Sequence, residues 1–214
     1  MPVQGPGIHS GVLRAGQTSI PYSISIPEKY SPSRSVPLVL ALHYGGNPNG
    51  AAQRVLAILV KPALAELGAI IVAPESIKGD WSSAENERAV NALLDAVQAS
   101  YVIDTKRIAV AGYSMGGSGA WFFAGKYPQR FSAAVAVAGM PPASMENWRT
   151  PVLAVHSRSD EVMPIGPTET RIRELQKAGV RAELIVLTGI PHSDPSRFLE
   201  GLRGAVPWLK ETWK

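Results

Sequence analysis

Apolar positions along this chain fall into two rhythms. Residues 11–15 and 18–26 alternate apolar and polar in the manner of half-buried strands, with Ala15-Gly16-Gln17 as the turn between them. After a Pro/Ser-rich loop over 27–37, the pattern changes. Short continuous apolar runs at 36–42, 69–73, 107–111, 132–138, 151–155 and 181–187 predict strands buried on both faces. Between them lie stretches of helical spacing. One runs from Ala51 to Leu67, stopped by Gly68 and bent or broken at Pro62. Another runs from Glu85 to Tyr101, with Ala89, Leu93, Leu94 and Val97 on one side. Further helices are predicted over 117–126, over 168–178 with Gly179 as its stop, and over 197–210 with Pro207 near its end. An antiparallel start followed by alternating strands and helices predicts an α/β fold: one open, mostly parallel sheet with helices on both faces.

The 214 residues suit a single domain, with 1–10 read as a linker or loose N-terminus. Pro2-Val3-Gln4-Gly5-Pro6-Gly7 has linker composition, as in a mature or excised domain. No basic stretch followed by an apolar one marks a signal peptide, and the compartment stays open. Hydrophobic content is 45% and charged content 18%, as in an ordinary globular protein, and no apolar run reaches membrane-spanning length. The 21 Lys+Arg and 17 Asp+Glu give a net charge of +4 without a basic run, which argues against a nucleic-acid partner. The absence of cysteine excludes disulfides, Cys-ligated zinc and a thiol nucleophile.

In a parallel α/β sheet the ligand sits beyond the carboxyl ends of the strands. Polar residues that directly follow a strand are therefore the informative ones. After 107–111 comes Gly112-Tyr113-Ser114-Met115-Gly116, the G-x-S-x-G pattern of a nucleophile elbow in its strand–turn–helix setting. The turn leaves no room for side chains two residues before and after Ser114, so both positions are Gly. Ser114 then stands at the N-terminus of a helix, where N–H groups stabilise negative charge. A serine hydroxyl needs a base. Of the four histidines, His9 lies near the N-terminus. His43 and His156 end strands, where histidines commonly fix loops. His192 follows the last strand and is the candidate base. The base needs a carboxylate. Asp160 is the candidate, directly after a strand, with Glu161 and Asp194 as rivals; an Asp there could instead cap the next segment. The chain order Ser114, Asp160, His192 is that of Ser…Asp…His hydrolases.

A tetrahedral intermediate needs two N–H donors. Met115 supplies one, and Gly45 or Tyr44 in the loop His43-Tyr44-Gly45-Gly46-Asn47 the other. The Tyr44 ring could alternatively line an acyl pocket or donate its hydroxyl. Tyr44, Trp81 and Tyr113 are the candidate substrate contacts; Trp81 either walls the cleft or folds back over the core. A dinucleotide loop through Gly112, Gly116, Gly117 and Gly119 is disfavoured. It follows a mid-chain strand, and Phe131-Ser132-Ala133 lacks the acid expected about twenty residues on.

Together these residues resemble the α/β-hydrolase superfamily, and within it the small carboxylesterases related to polyhydroxybutyrate depolymerases and to feruloyl and acetylxylan esterases. The similarity extends from about Val36 onward. It is greatest over Tyr101–Ile108, Gly112–Gly117 and Tyr127-Pro128-Gln129-Arg130-Phe131. The resemblance implies a serine carboxylesterase without cofactor: Ser114 the nucleophile, His192 the base, Asp160 the acid. The His43-Tyr44-Gly45 loop departs from the common His-Gly form, and the cysteines of many secreted relatives are missing. By that resemblance the chain leans toward an extracytoplasmic setting, with the cytoplasm as the alternative. Only a dozen or so residues separate strands 132–138 and 151–155, where such folds carry a lid. An open cleft without a cap or interfacial activation is expected, accessible to small or polymer-attached esters. Competing readings are a thioesterase, lysophospholipase or peptidase on the same residues, and a non-catalytic ligand receptor of the same fold. Oligomeric state is not written in the sequence.

Overall fold

The computed structural model describes residues 1–46, 49–144 and 147–214. Among them, eight strands form one sheet: β1 (Gly7–Ala15), β2 (Thr18–Ile26), β3 (Val36–Leu42), β4 (Ile70–Pro74), β5 (Ile103–Tyr113), β6 (Ala133–Val137), β7 (Val152–Ser157) and β8 (Ala182–Leu187). Their order is β1-β2-β4-β3-β5-β6-β7-β8. The β1–β2 and β2–β4 pairs are antiparallel and every later pair is parallel.

The continuous apolar runs serve two cores, because successive strand residues face opposite ways. Leu38, Leu40 and Leu42 pack beneath α3 (Ala84–Ser100), α4 (Met115–Lys126) and α5 (Gly166–Lys177). Val39 and Ala41 face α1 (Ala51–Val55), α2 (Lys61–Leu64), α6 (Leu199–Arg203) and α7 (Ala205–Thr212). Each large aliphatic residue so enclosed contributes roughly 1.5–3 kcal/mol of burial free energy.

This order creates a switch point. The chain leaves β3 toward α1 on one face and leaves β5 toward α4 on the other, while β3 and β5 are neighbours. The crevice beyond their carboxyl ends is where such sheets take their ligands, and Tyr44, Gly45 and Ser114 lie there.

Three expectations need correction. Gly7–Ser10, expected in a loose N-terminus, form the first part of β1, where His9 pairs with Ile24 of β2. The preceding residues are tied down as well: the Met1 ammonium donates to Ser100 Oγ and Gln4 N–H to Tyr101 Oη. The linker-like composition did not show these distant partners. The helix expected over 51–67 is a composite of α1, a π turn (Leu56–Val60), α2 and a 3-10 turn (Ala65–Leu67), ending at Gly68 with φ 60°. Pro62 has no N–H to give, and its ring would strike the carbonyl four residues back, so regular winding is interrupted ahead of it. The helix expected over 197–210 divides into a 3-10 turn (Pro195–Phe198), α6 and α7, with Gly204 at the break. Pro207 falls in the first turn of α7, where its missing N–H costs nothing.

No helix of the described residues is long and apolar enough to cross a membrane. Among the described residues the β6–β7 connection carries no helix, as expected of an uncapped fold. Asn47, the last residue of the glycine-rich loop, lies outside the described residues.

Candidate active site

Ser114 has φ 58° and ψ −119°, a conformation that L-residues avoid. It is held there by its own N–H, which donates to Val137 O at 2.9 Å, and by Ser118 N–H, which donates to its carbonyl at 3.0 Å. The flanking glycines are required by backbone, not by side chains. A Cβ on Gly112 would stand 2.1 Å from Gly116 O, and one on Gly116 would stand 2.0 Å from Leu42 O. The elbow is thus wedged between its own turn and β3. Met115 begins α4, so its N–H is one of the four at a helix start with no acceptor inside the helix.

Ser114 Oγ lies 2.8 Å from His192 Nε2, and His192 Nδ1 lies 2.8 Å from Asp160 Oδ2. A carboxylate only accepts, so Nδ1 carries the proton and the Nε2 lone pair faces the serine hydroxyl. All three are nearly buried: Ser114 is 9% exposed, Asp160 7% and His192 8%. Asp160 is fixed through its other oxygen, which accepts from Val162 N–H at 3.0 Å and Met163 N–H at 2.7 Å. The rivals are engaged elsewhere. Glu161 Oε2 accepts from the His192 backbone N–H at 3.1 Å, and Asp194 Oδ1 accepts from Ser196 Oγ at 2.5 Å.

His43 and His156 fix loops. His43 Nδ1–H donates to Tyr44 O at 2.6 Å, and Nε2 accepts from Ser76 N–H at 3.0 Å. His156 Nε2–H donates to Met163 O at 2.7 Å and Nδ1 accepts from Thr168 Oγ1 at 3.1 Å. His156 Nε2 also stands 3.4 Å from Asp160 Oδ2. Burial holds the pKa of both rings below the ordinary imidazole value, outweighing the opposing pull of their carbonyl partners. In the trans Tyr44–Gly45 peptide, N–H and C=O point opposite ways. With Tyr44 O turned to His43, the Gly45 N–H faces away from that ring.

Two hollows lie beside the elbow. One, of about 430 Å³, is lined by Tyr44, Gly45, Tyr113, Ser114, Val162 and His192, among others. The second, of about 340 Å³, has walls of Trp81, Met115, Phe122, Met140 and Met163. Met115, on the wall of the second, also approaches the first: its Sδ lies 3.6 Å from where a Gly45 Cβ would be. Tyr44 is half-buried, and its hydroxyl accepts from Arg54 Nε at 3.2 Å. Of the two readings of Trp81, the second fits better. It is 1% exposed and donates Nε1–H to His43 O at 2.9 Å, yet one edge reaches the hollow. Tyr113 is buried, and its hydroxyl donates to His192 O. Burial, and then the Asp160 carboxylate, push that hydroxyl's pKa above its ordinary range, so it stays a donor.

Glu161 was legible only as a rival acid; its hold on the His192 backbone N–H was not. Phe122, Met140 and Met163 read in sequence as ordinary apolar positions, with no signal that they line the site.

A mostly parallel sheet whose switch point carries a serine on a positive-φ elbow, bonded to a histidine–carboxylate pair, is an α/β-hydrolase. The chain belongs to the Esterase family, whose model, described as "Putative esterase", matches residues 15–208. It is 28% identical over 172 residues to "Probable feruloyl esterase C" of Aspergillus terreus, covering 75% of this chain and 63% of that protein. The chain therefore spans rather less than two thirds of that relative. Among solved structures it is similar to a thermostable esterase, with a TM-score of 0.77 and 21% identity over 95% of this chain and 62% of that one. It is also similar to the feruloyl esterase module from Clostridium thermocellum complexed with sinapinate, with a TM-score of 0.76 and 13% identity over 95% and 88%. These structural likenesses bear on the fold.

Proposed function

We propose that this protein is a serine carboxylesterase that works through an acyl-enzyme. The observation that carries the reading is the unbroken hydrogen-bonded series Ser114 Oγ–His192–Asp160, with both links at 2.8 Å, at the first turn of a helix. Ser114 Oγ attacks the ester carbonyl carbon while His192 Nε2 takes its proton. The oxyanion is received by the N–H groups of Met115 and Gly45, with Tyr44 N–H as the alternative to Gly45. His192 returns the proton to the departing alkoxide as the C–O bond breaks. Water then attacks the acyl-enzyme by the same proton route and releases the acid and Ser114. Asp160 holds the imidazole tautomer and stabilises the imidazolium. No cofactor is called on.

Substrates of this reading are short-chain, acetyl or hydroxycinnamoyl esters. The feruloyl esterase relative and the sinapinate-bound module support the last, and so do the aromatic and thioether walls around Trp81 and Phe122. Tyr44 lines the hollow beside Ser114 and would meet the other part of the ester; Tyr113 borders the same hollow, but its buried hydroxyl is turned to His192 O.

A panel of p-nitrophenyl esters of increasing chain length, methyl ferulate and an acetylated sugar tests it. Wild type is expected to turn over at least one class, and Ser114→Ala to lose roughly 10⁴-fold or more in kcat with an unchanged circular dichroism spectrum. Activity of Ser114→Ala within tenfold of wild type would sink the assignment.

A further inference from the structure

His192 sits in the connection between β8 and the 3-10 turn at Pro195, a stretch without regular structure. Among the described residues, neither its N–H nor its C=O bonds to another backbone group. Both are held by side chains from elsewhere. The N–H donates to Glu161 Oε2 at 3.1 Å, and the C=O accepts from the Tyr113 hydroxyl. With Nδ1 on Asp160 and Nε2 on Ser114, every polar atom of His192 is engaged by a residue at least 31 positions away in the chain.

We propose that Tyr113 and Glu161 are positioning residues that clamp the backbone of His192 and so set its distance from Ser114. The inference rests on His192 being the base of the reaction proposed above.

Tyr113 is suited to this by place and by surroundings. It is the last residue of β5 and the chain neighbour of Ser114, so nucleophile and clamp ride on one strand end. Its ring lies roughly parallel to the His192 imidazole, at 22° with centroids 5.6 Å apart. It also meets Phe198 at 5.5 Å, just beyond the His192 connection, and Tyr44 of the glycine-rich loop at 6.1 Å. The ring is thereby in contact with both the glycine-rich loop and the base loop. Deep burial keeps its hydroxyl protonated, as a donor to a carbonyl must be. Glu161 completes the hold from the other end. It follows Asp160 directly, so one short loop grips His192 twice, by ring and by amide. A base carried on an irregular loop gains most from such bracing, because a displacement near 1 Å costs about 10²-fold in rate.

The test is steady-state kinetics on the best ester of the panel, with thermal melts beside it. Tyr113→Phe removes one hydroxyl and is expected to lower kcat about 10–100-fold with KM within about twofold. Glu161→Ala, at an exposed side chain that does not threaten folding, is expected to lower kcat about fivefold or more. Glu161→Gln, whose amide oxygen still accepts the N–H, restores most of that loss. Since both residues act through His192, their losses do not multiply with that of His192→Ala. Tyr113→Phe with kcat within twofold of wild type overturns the clamp. So does a change confined to KM, which makes Tyr113 a substrate contact. So do losses that multiply fully on the His192→Ala background, which make the effect merely structural. His192→Ala alone keeping most activity would instead overturn the base assignment, a result distinct from failure of the clamp.

Discussion

At the scale of single residues, the site depends on atoms that are missing. Ser114 takes a strained backbone, and its neighbours tolerate it because Gly112 and Gly116 present no Cβ to Gly116 O and Leu42 O. Those contacts are with backbone, which cannot swing aside. Gly116→Ala is therefore expected to destabilise the fold by roughly 3–5 kcal/mol, read as a lowered urea midpoint or as insoluble expression. Loss of less than about 1 kcal/mol would mean that the turn relaxes more readily than its geometry shows. The elbow was legible in sequence because its rule is local: five residues between a strand and a helix. The partners of Ser114 were legible in part, from chain order and strand ends. The choice of Asp160 over Glu161 and Asp194 was made only by the tertiary structure, since neighbouring carboxylates differ only in which way the loop turns them. So was the direction of the Gly45 N–H, which depends on a histidine ring holding the carbonyl before it.

At the scale of elements, α3 does more than cover the sheet. Ser83 caps its first turn by accepting from Asn86 N–H, and Asn86, fully buried, reaches back over the loop before the helix. The Asn86 side chain accepts from Ile77 N–H at 2.5 Å and donates to Lys78 O at 3.0 Å and Asp80 O at 2.6 Å. That loop carries Trp81 to the hollow beside Met115. Asn86→Ala would strand three backbone groups. It is expected to cost about 2–3 kcal/mol in denaturant unfolding and to raise KM for aromatic esters more than for acetate. A variant as stable as wild type would show that water replaces the amide without loss. Periodicity located this helix to within one residue at each end, because its apolar stripe is unbroken. It failed over 51–67 and 197–210, where Pro62 and Gly204 sit inside otherwise helical patterns. Whether a proline bends, breaks or merely begins a helix depends on the packing around it.

At the scale of the whole molecule, two buried histidines tie stability to pH. His43 and His156 are essentially unexposed and held neutral by their hydrogen bonds, and burial depresses their pKa below the ordinary 6.5. The unfolded chain therefore takes up protons at these positions before the folded one does. Their contribution to stability is complete above about pH 6.5 and is lost as the pH falls below it toward the depressed folded values. The slope is at most about 1.4 kcal/mol per pH unit for each ring. Urea unfolding at pH 7 and pH 5.5 is expected to show lower stability at the acid pH, and His156→Gln to flatten the dependence. Equal stability at both pH values would contradict it. These rings pin the loops of Tyr44 and Met163, so acid is expected to loosen both sides of the cleft as it weakens the fold.

The sequence by itself determined the α/β class, the parallel core, the elbow at Ser114 and the loops that carry its partners. Each follows from short-range rules: alternation, apolar runs, and the residue types a tight turn admits. Only the tertiary structure decided that 7–10 belong to β1, that Glu161 and Tyr113 grip the backbone of His192, and that Trp81 is buried while edging the hollow. Those outcomes rest on contacts between residues tens of positions apart. Side-chain direction at the end of a loop is fixed by what the rest of the fold brings to meet it.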